Sequence, residues 1–200
     1  MKFTCVIPSF LGQYPGAASR RDEKLVRAVQ SVLDQTYTDF ELKVIADGCD
    51  LTMEIMKQFT DPRVEAVKIQ KAPLWDGAPR NTGLELAKGE FIAYLDIDDF
   101  WGDGHLRKIA EGLGEYDWVF FNDLIFSGGE WVERTCDIRK LGMNGTSNIC
   151  HKRELGARWA HRGYAHDHHF NQSLMMKSLK YGKIATPEYF VMHIPGNYDM

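Results

Sequence analysis

The sequence predicts an α/β fold built on a largely parallel sheet. Two observations carry that expectation. Short apolar runs alternate with helical patterns through the first half of the chain, as in domains that wrap helices around a parallel sheet. Several of those runs also end on a carboxylate or a proline, at the strand ends where ligands bind on such sheets. The chain has 200 residues, the size of one ordinary domain.

The elements follow in order. Phe3 to Pro8 is an apolar run closed by proline, a buried strand. Ser9 to Ser19 reads as a loop. From Asp22 to Gln35, Leu25, Val26, Val29, Val32 and Leu33 recur at helical spacing. Phe40 to Ala46 is a second strand, ended by the Asp47-Gly48 turn. Leu51 to Phe59 reads as a helix stopped by Asp61-Pro62, and Val64 to Ile69 as a third strand. Pro79 suits a helix first turn, and that helix runs to Lys88 with Gly89 as its cap.

Phe91 to Leu95 is a fourth strand, and His105 to Leu113 a short helix. Trp118 to Phe126 and Trp131 to Arg134 read as a hairpin about Gly128-Gly129. The last third is less regular, with a helix over Asp167 to Tyr181 and a short strand over Tyr189 to His193.

Composition narrows the class of function. Apolar residues make up 44% and charged residues 26%, which fits a packed core rather than disorder. A net charge of -4 argues against a general nucleic-acid binder. Cys5, Cys49, Cys136 and Cys150 contain no CxxC pair, so reduced thiols and a cytoplasmic location are expected. No run reaches membrane-spanning length, while peripheral contact with a membrane stays open. GxGxxG and GxxxxGK[ST] phosphate loops are both absent.

The chemistry-bearing segment is Phe91-Ile92-Ala93-Tyr94-Leu95-Asp96-Ile97-Asp98-Asp99. An apolar strand delivers three carboxylates at its end. Continued extended geometry would put Asp96 and Asp98 on one side. Close anions raise each other's pKa, and a hard divalent cation, magnesium or manganese, relieves the repulsion. A solvated acidic turn is the plainer alternative. Asp47 ends another strand on the same edge, suited either to accept a base N–H or simply to make a turn. Pro8 and Ser9 end the first strand there. Arg80 suits a diphosphate or sugar contact, or a solvated helix position. Trp75, Trp101 and Trp159 are candidate sugar platforms, although tryptophan more often packs a core.

Three segments occur in a telling order: Val6-Ile7-Pro8-Ser9, Ala46-Asp47-Gly48-Cys49-Asp50, and Arg80-Asn81-Thr82-Gly83 leading into Gly89 to Asp99. Together they resemble the family 2 glycosyltransferases with the GT-A fold. That resemblance implies one domain over 1–200, with a nucleotide-sugar-binding half over 1–100 and an acceptor-binding half over 101–200. It further implies a nucleotide-diphospho-sugar donor, with uridine as the expected base, and a hydroxyl-bearing acceptor such as a carbohydrate. Mn2+ or Mg2+ and inversion at the anomeric carbon complete the expectation.

On this resemblance Pro8, Ser9, Asp47, Arg80, Asp96 and Ile97 would hold the donor. Asp98, Asp96 and His193 would hold the metal. In similar enzymes an Asp at the start of a late helix is the general base, and Gly163 to Phe170 places Asp167 there, preceded by His166 where Glu is usual. The chain departs from the family pattern at Phe10-Leu11, in place of Tyr-Asn, and at Ala46, in place of a second carboxylate. Two rival readings stand beside this one, a sugar nucleotidyltransferase and a binding module that has lost catalysis.

Overall fold

The computed structural model describes residues 3–74, 77–160, 163 and 165–200. Its centre is a seven-stranded sheet of strands β1 (Phe3–Ser9), β2 (Phe40–Asp47), β3 (Val64–Ile69), β4 (Phe91–Tyr94), β6 (Trp118–Phe120), β9 (Ile149–Lys152) and β10 (Tyr181–Lys183), ordered β10-β6-β9-β4-β1-β2-β3. Strands β1 to β4 are parallel, and β6 is parallel to β10. Only β9 runs antiparallel to its neighbours β4 and β6. The expected α/β fold with a mostly parallel sheet is what the chain adopts.

Helices cover both faces. Helix α1 (Arg21–Leu33) turns Leu25, Ala28, Val29 and Val32 into a core shared with Phe3, Cys5 and Ile7. Burying each Leu, Val, Ile or Phe side chain of this core contributes about 1.5–3 kcal/mol. Helix α2 is Asp50–Met56 and α4 is His105–Leu113. Helix α3 (Ala78–Leu86) lies on the other face, where a Cβ at Gly83 would stand 2.4 Å from Val6 Cγ1, so only glycine lets helix and sheet approach so closely. The second core unites Val6, Ile45, Tyr94, Trp118, Trp159 and Phe170. Helix α5 is His166–Lys177.

A smaller sheet, ordered β5-β11-β7-β8, joins β5 (Phe100–Trp101), β7 (Asp123–Ser127), β8 (Glu130–Arg134) and β11 (Tyr189–Val191). Strands β12 (His193–Ile194) and β13 (Tyr198–Asp199) form a terminal hairpin.

Several boundaries differ from expectation. The stretch from Trp118 to Phe126 is not one hairpin arm. It breaks after Phe120, leaving β6 in the large sheet and sending β7 to pair with β8 in the small one. The late helix ends at Lys177 because the chain must re-enter the large sheet at Tyr181. Helix α2 stops at Met56 and decays through turns to Phe59. Gly89 is not the α3 cap, since α3 ends at Leu86. A Cβ at Gly89 would stand 2.6 Å from the Thr4 amide nitrogen, so its role is close approach to β1.

Candidate active site

The carboxyl ends of β1, β2 and β4 open onto a cleft of about 400 Å³. All of the residues expected at the site line it: Pro8, Ser9, Asp47, Arg80, Asp96, Ile97, Asp98, Asp167 and His193. They arrive from six separate stretches of chain, so the fold alone brings them together.

At the β2 end, Asp47 is nearly buried and already engaged. Its Oδ1 accepts the Ala72 amide at 2.7 Å and its Oδ2 accepts Lys71 Nζ at 2.7 Å. Lys71 Nζ also lies 4.3 Å from the centre of the Phe10 ring, and Phe10 stacks on Tyr14 at 6.5 Å. The Ser9 hydroxyl is not free in the cleft, because it pairs with Thr52 Oγ1 at 2.8 Å. Phe10 and Tyr14 thus form an aromatic wall where sequence reasoning saw only a departure from pattern.

At the β4 end, extended geometry does not persist. The strand ends at Tyr94, and the chain turns so that the Asp99 amide donates to the Asp96 carbonyl at 3.2 Å. The three carboxylates consequently part company. Asp99 faces the core, accepting the Tyr189 hydroxyl at 2.5 Å and the Met192 amide at 2.8 Å, and burial followed by the Asp98 charge pushes its pKa far up. Asp96 accepts Arg80 Nη2 at 2.6 Å on one oxygen and the Thr146 hydroxyl at 2.5 Å on the other. Asp98 has no cation at ion-pair distance among the described residues, and burial, then the Asp96 charge, push it up to about 6. Repulsion between Asp96 and Asp98 is therefore present, although one carboxylate is screened by Arg80.

Helix α3 explains the Arg80-Asn81-Thr82-Gly83 motif residue by residue. Arg80 reaches Asp96 and lies 5.1 Å over the Trp159 ring. Asn81 clamps the Trp159 backbone, donating to its carbonyl at 3.0 Å and accepting its amide at 2.9 Å. Gly83 meets β1. One helix thereby links the first strand, the β4 carboxylates and the segment leading towards α5. Trp159 itself is core, stacked on Phe170 at 3.9 Å, and so is Trp101, stacked on His105 at 4.2 Å; neither offers a free platform. Trp75 lies outside the described residues.

Asp167 sits in the first turn of α5, where the helix dipole favours an anion. Its Oδ1 accepts the His168 amide at 2.7 Å. Burial raises its pKa, and the His168 amide, His166 and Arg80 oppose that rise in part. A carboxylate raised in this way is a stronger base that still has charged neighbours to steady it.

His193 lines the cleft from β12 with both ring nitrogens directed at protein atoms. Nε2 donates to the Gly16 carbonyl at 2.9 Å, and Nδ1 lies 3.2 Å from Asp199 Oδ1. Asp199 also holds Ser19 and the buried Lys24. The terminal hairpin is in this way fastened to the loop after β1. Among the described residues, no three Asp, Glu, His or Cys side chains converge as a metal cage.

Among the cleft residues that sequence reasoning missed is a charged pair. Arg134 makes a bidentate contact with Asp123, at 2.9 and 2.6 Å. The two stand opposite in the β7–β8 register, so the opposite charges flanking Gly128-Gly129 were the available signal.

A mostly parallel sheet with this cleft at its strand ends, closed on one side by a small mixed sheet, defines the GT-A class of fold. The structure of S. aureus TarS residues 1-349 in complex with UDP-GlcNAc superposes with a TM-score of 0.77 at 18% identity, over 99% of this chain and 60% of that one. The mannosyltransferase PcManGT from Pyrobaculum calidifontis, in complex with GDP-Man and Mn2+, gives a TM-score of 0.70 at 17% identity over 97% and 58%. The glycosyl transferase family 2 model matches residues 18–180, and the chain belongs to that family.

Curated relatives include an uncharacterized glycosyltransferase, alr2836, of Nostoc sp., 36% identical over 89 residues, covering 44% of this chain and 28% of the relative. The Escherichia coli protein WfgD, named a UDP-Glc:alpha-D-GlcNAc-diphosphoundecaprenol beta-1,3-glucosyltransferase, is 37% identical over 97 residues, covering 48% and 34%. The chain thus aligns with about a third of the length of these relatives.

Proposed function

We propose that the cleft transfers one sugar from a nucleoside-diphosphate sugar, with uridine as the base, to an acceptor hydroxyl, with inversion. The observation that carries this reading is the gathering in one cleft of an under-compensated carboxylate, Asp98, and a second raised carboxylate, Asp167, from opposite halves of the chain. Bound UDP-GlcNAc in the TarS structure and the WfgD name support the donor class. The same name supports an acceptor that is a sugar carried on a polyprenyl diphosphate.

The nucleoside lies at the β1–β2 end, against Pro8, Ser9, Phe10 and Asp47. Base or ribose N–H and O–H groups meet the remaining lone pairs of Asp47, which Lys71 and the Ala72 amide hold in place. Arg80 and Ile97 flank the diphosphate, with Asp96 orienting the guanidinium. The donor set fits a divalent cation. Asp98, with no cation at ion-pair distance among the described residues, and Asp96 beside it would supply hard oxygen ligands to Mg2+ or Mn2+. When bound, that ion supplies positive charge to the leaving diphosphate. His193 bounds this end of the cleft and would be a further ligand only on releasing the Gly16 carbonyl.

Asp167 takes the proton from the acceptor hydroxyl. The acceptor oxygen bonds to the anomeric carbon on the face opposite the diphosphate. The bond from that carbon to the diphosphate oxygen breaks, and the nucleoside diphosphate departs. The direct test is a panel of nucleotide sugars, each with Mg2+ or Mn2+ and a set of sugar acceptors. The reading expects release of a nucleoside diphosphate together with a glycosylated product. Release of pyrophosphate from a nucleoside triphosphate and a sugar phosphate would instead establish a nucleotidyltransferase, and tight nucleotide binding with no turnover a binding module.

A further inference from the structure

Large apolar side chains are exposed unevenly. Of the eight exposed ones among the described residues, five, Tyr116, Leu141, Met143, Met176 and Leu179, lie on three segments that touch one another. Met176 and Leu179 are 83% and 84% exposed, near the values of a free side chain. The segments are joined by several contacts. Asp117 donates its amide to the Lys180 carbonyl at 2.7 Å, Arg139 Nη2 donates to the Tyr181 hydroxyl at 3.4 Å, and Lys183 Nζ donates to the Cys136 carbonyl at 3.1 Å. The face runs from the turn after α4, across the end of α5, to the loop at 139–143.

Its charge is equally uneven. Arg139, Lys140, Lys177, Lys180 and Lys183 are all exposed on it. From Gln172 to Pro187 the chain has no carboxylate, although its net charge is -4. Nearby, Asp117 is held by Lys152 at 2.8 Å and Asp137 lies 3.5 Å from Lys140, with Glu115 and, 3.8 Å from Lys152, Glu154 at the edge.

We propose that this face docks on an anionic lipid surface. Exposed Met and Leu among lysines fit a headgroup boundary, where apolar tips enter the acyl layer and ammonium groups meet phosphate. A nucleic acid would draw the lysines but leave Met176 and Leu179 in water. The loop carrying Arg139, Lys140 and Leu141 continues through Gly142 and Met143 into the cleft wall, so docking brings the cleft to the lipid boundary. That geometry suits the lipid-linked acceptor proposed above, and only this purpose, not the docking itself, rests on the proposed activity.

The test is co-sedimentation of the 200-residue chain with vesicles of phosphatidylcholine alone or mixed with phosphatidylglycerol, at low and high salt. Binding to the anionic vesicles only, weakened by salt, is expected. Lys177→Gln and Lys180→Gln should each lower partitioning about fivefold, and Met176→Ser with Leu179→Ser by about tenfold or more. All four sites are exposed, so release of nucleoside diphosphate from the donor with a water-soluble acceptor should be unchanged. Failure to bind anionic vesicles, binding indifferent to these variants, or a dimer that Met176→Ser with Leu179→Ser makes monomeric would each overturn the proposal. Those results leave the transferase reading intact, and vesicle binding without turnover does the reverse.

Discussion

At the β2 end of the cleft, Asp47 has both oxygens engaged, by the Lys71 ammonium and the Ala72 amide. At the β4 end, Asp98 is just as much a strand-end carboxylate, yet among the described residues no cation lies at ion-pair distance from it and its pKa is pushed up to about 6. A satisfied carboxylate is a preorganised wall. An unsatisfied one is a site awaiting positive charge. On the proposed function the two ends would divide the work, recognition at Asp47 and Ser9, chemistry at Asp98 and Asp167.

On the proposed function the largest effect should come from Asp167. Asp167→Asn keeps the size of the side chain and an oxygen for the His168 amide, and transfer should fall about 10²–10⁴-fold while nucleoside diphosphate affinity and melting temperature hold. Single-turnover transfer close to wild type would remove Asp167 from the chemistry. Asp98→Asn is expected to lower turnover about 10²–10³-fold, the size typical of losing one preorganised electrostatic group, and also to weaken donor binding. Normal rates with this variant, or full activity in excess chelator, would break the contrast between the two ends.

Asp47→Ala is milder. It should cost about 1–3 kcal/mol of nucleoside diphosphate affinity, the usual penalty for unpaired polar partners, with kcat little changed. A variant that bound normally but turned over slowly would mean that the ends do not divide the work.

The smallest effect concerns stability. Buried Glu41 sits near the start of β2, at the opposite end of the strand from the cleft, beside Thr4. Burial pushes its pKa up, but the Thr4 hydroxyl, Lys43 and the Lys88 amide outweigh it and hold it at about 2. Its unfolded value is the ordinary 4.5. The folded value is the lower one, so Glu41 stabilises fully above pH 4.5 and loses that contribution as pH falls towards about 2. Denaturation of Glu41→Gln across that window should show a shallower acid loss than wild type. Parallel profiles would remove this role from Glu41.

The first half of the chain was legible in the sequence because each element there carries its own signal. Phe3 to Pro8 and Phe91 to Leu95 are buried strands written as apolar runs, and Val29 and Val32 mark the inner face of α1. The second half depends on partners distant in sequence. Strand β9 is only Ile149–Lys152, and its place between β4 and β6 is set by pairing with Ala93 and Val119 rather than by local pattern. The carboxylate motif shows the same limit. Its position was readable, but Asp99 turns inward because Tyr189 and Met192, some ninety residues later, receive it. Phe10 and Lys71 were not recognised as cleft residues because their pairing crosses from one loop to the end of another strand.

The most direct measurement is calorimetry of UDP binding with and without Mn2+ in wild type, Asp98→Asn and Asp47→Ala. The division of the cleft predicts that Mn2+ strengthens binding in wild type and in Asp47→Ala, with affinity lower throughout in the latter, and that this strengthening vanishes in Asp98→Asn. An equal Mn2+ effect in Asp98→Asn, or its loss in Asp47→Ala alone, would contradict the account.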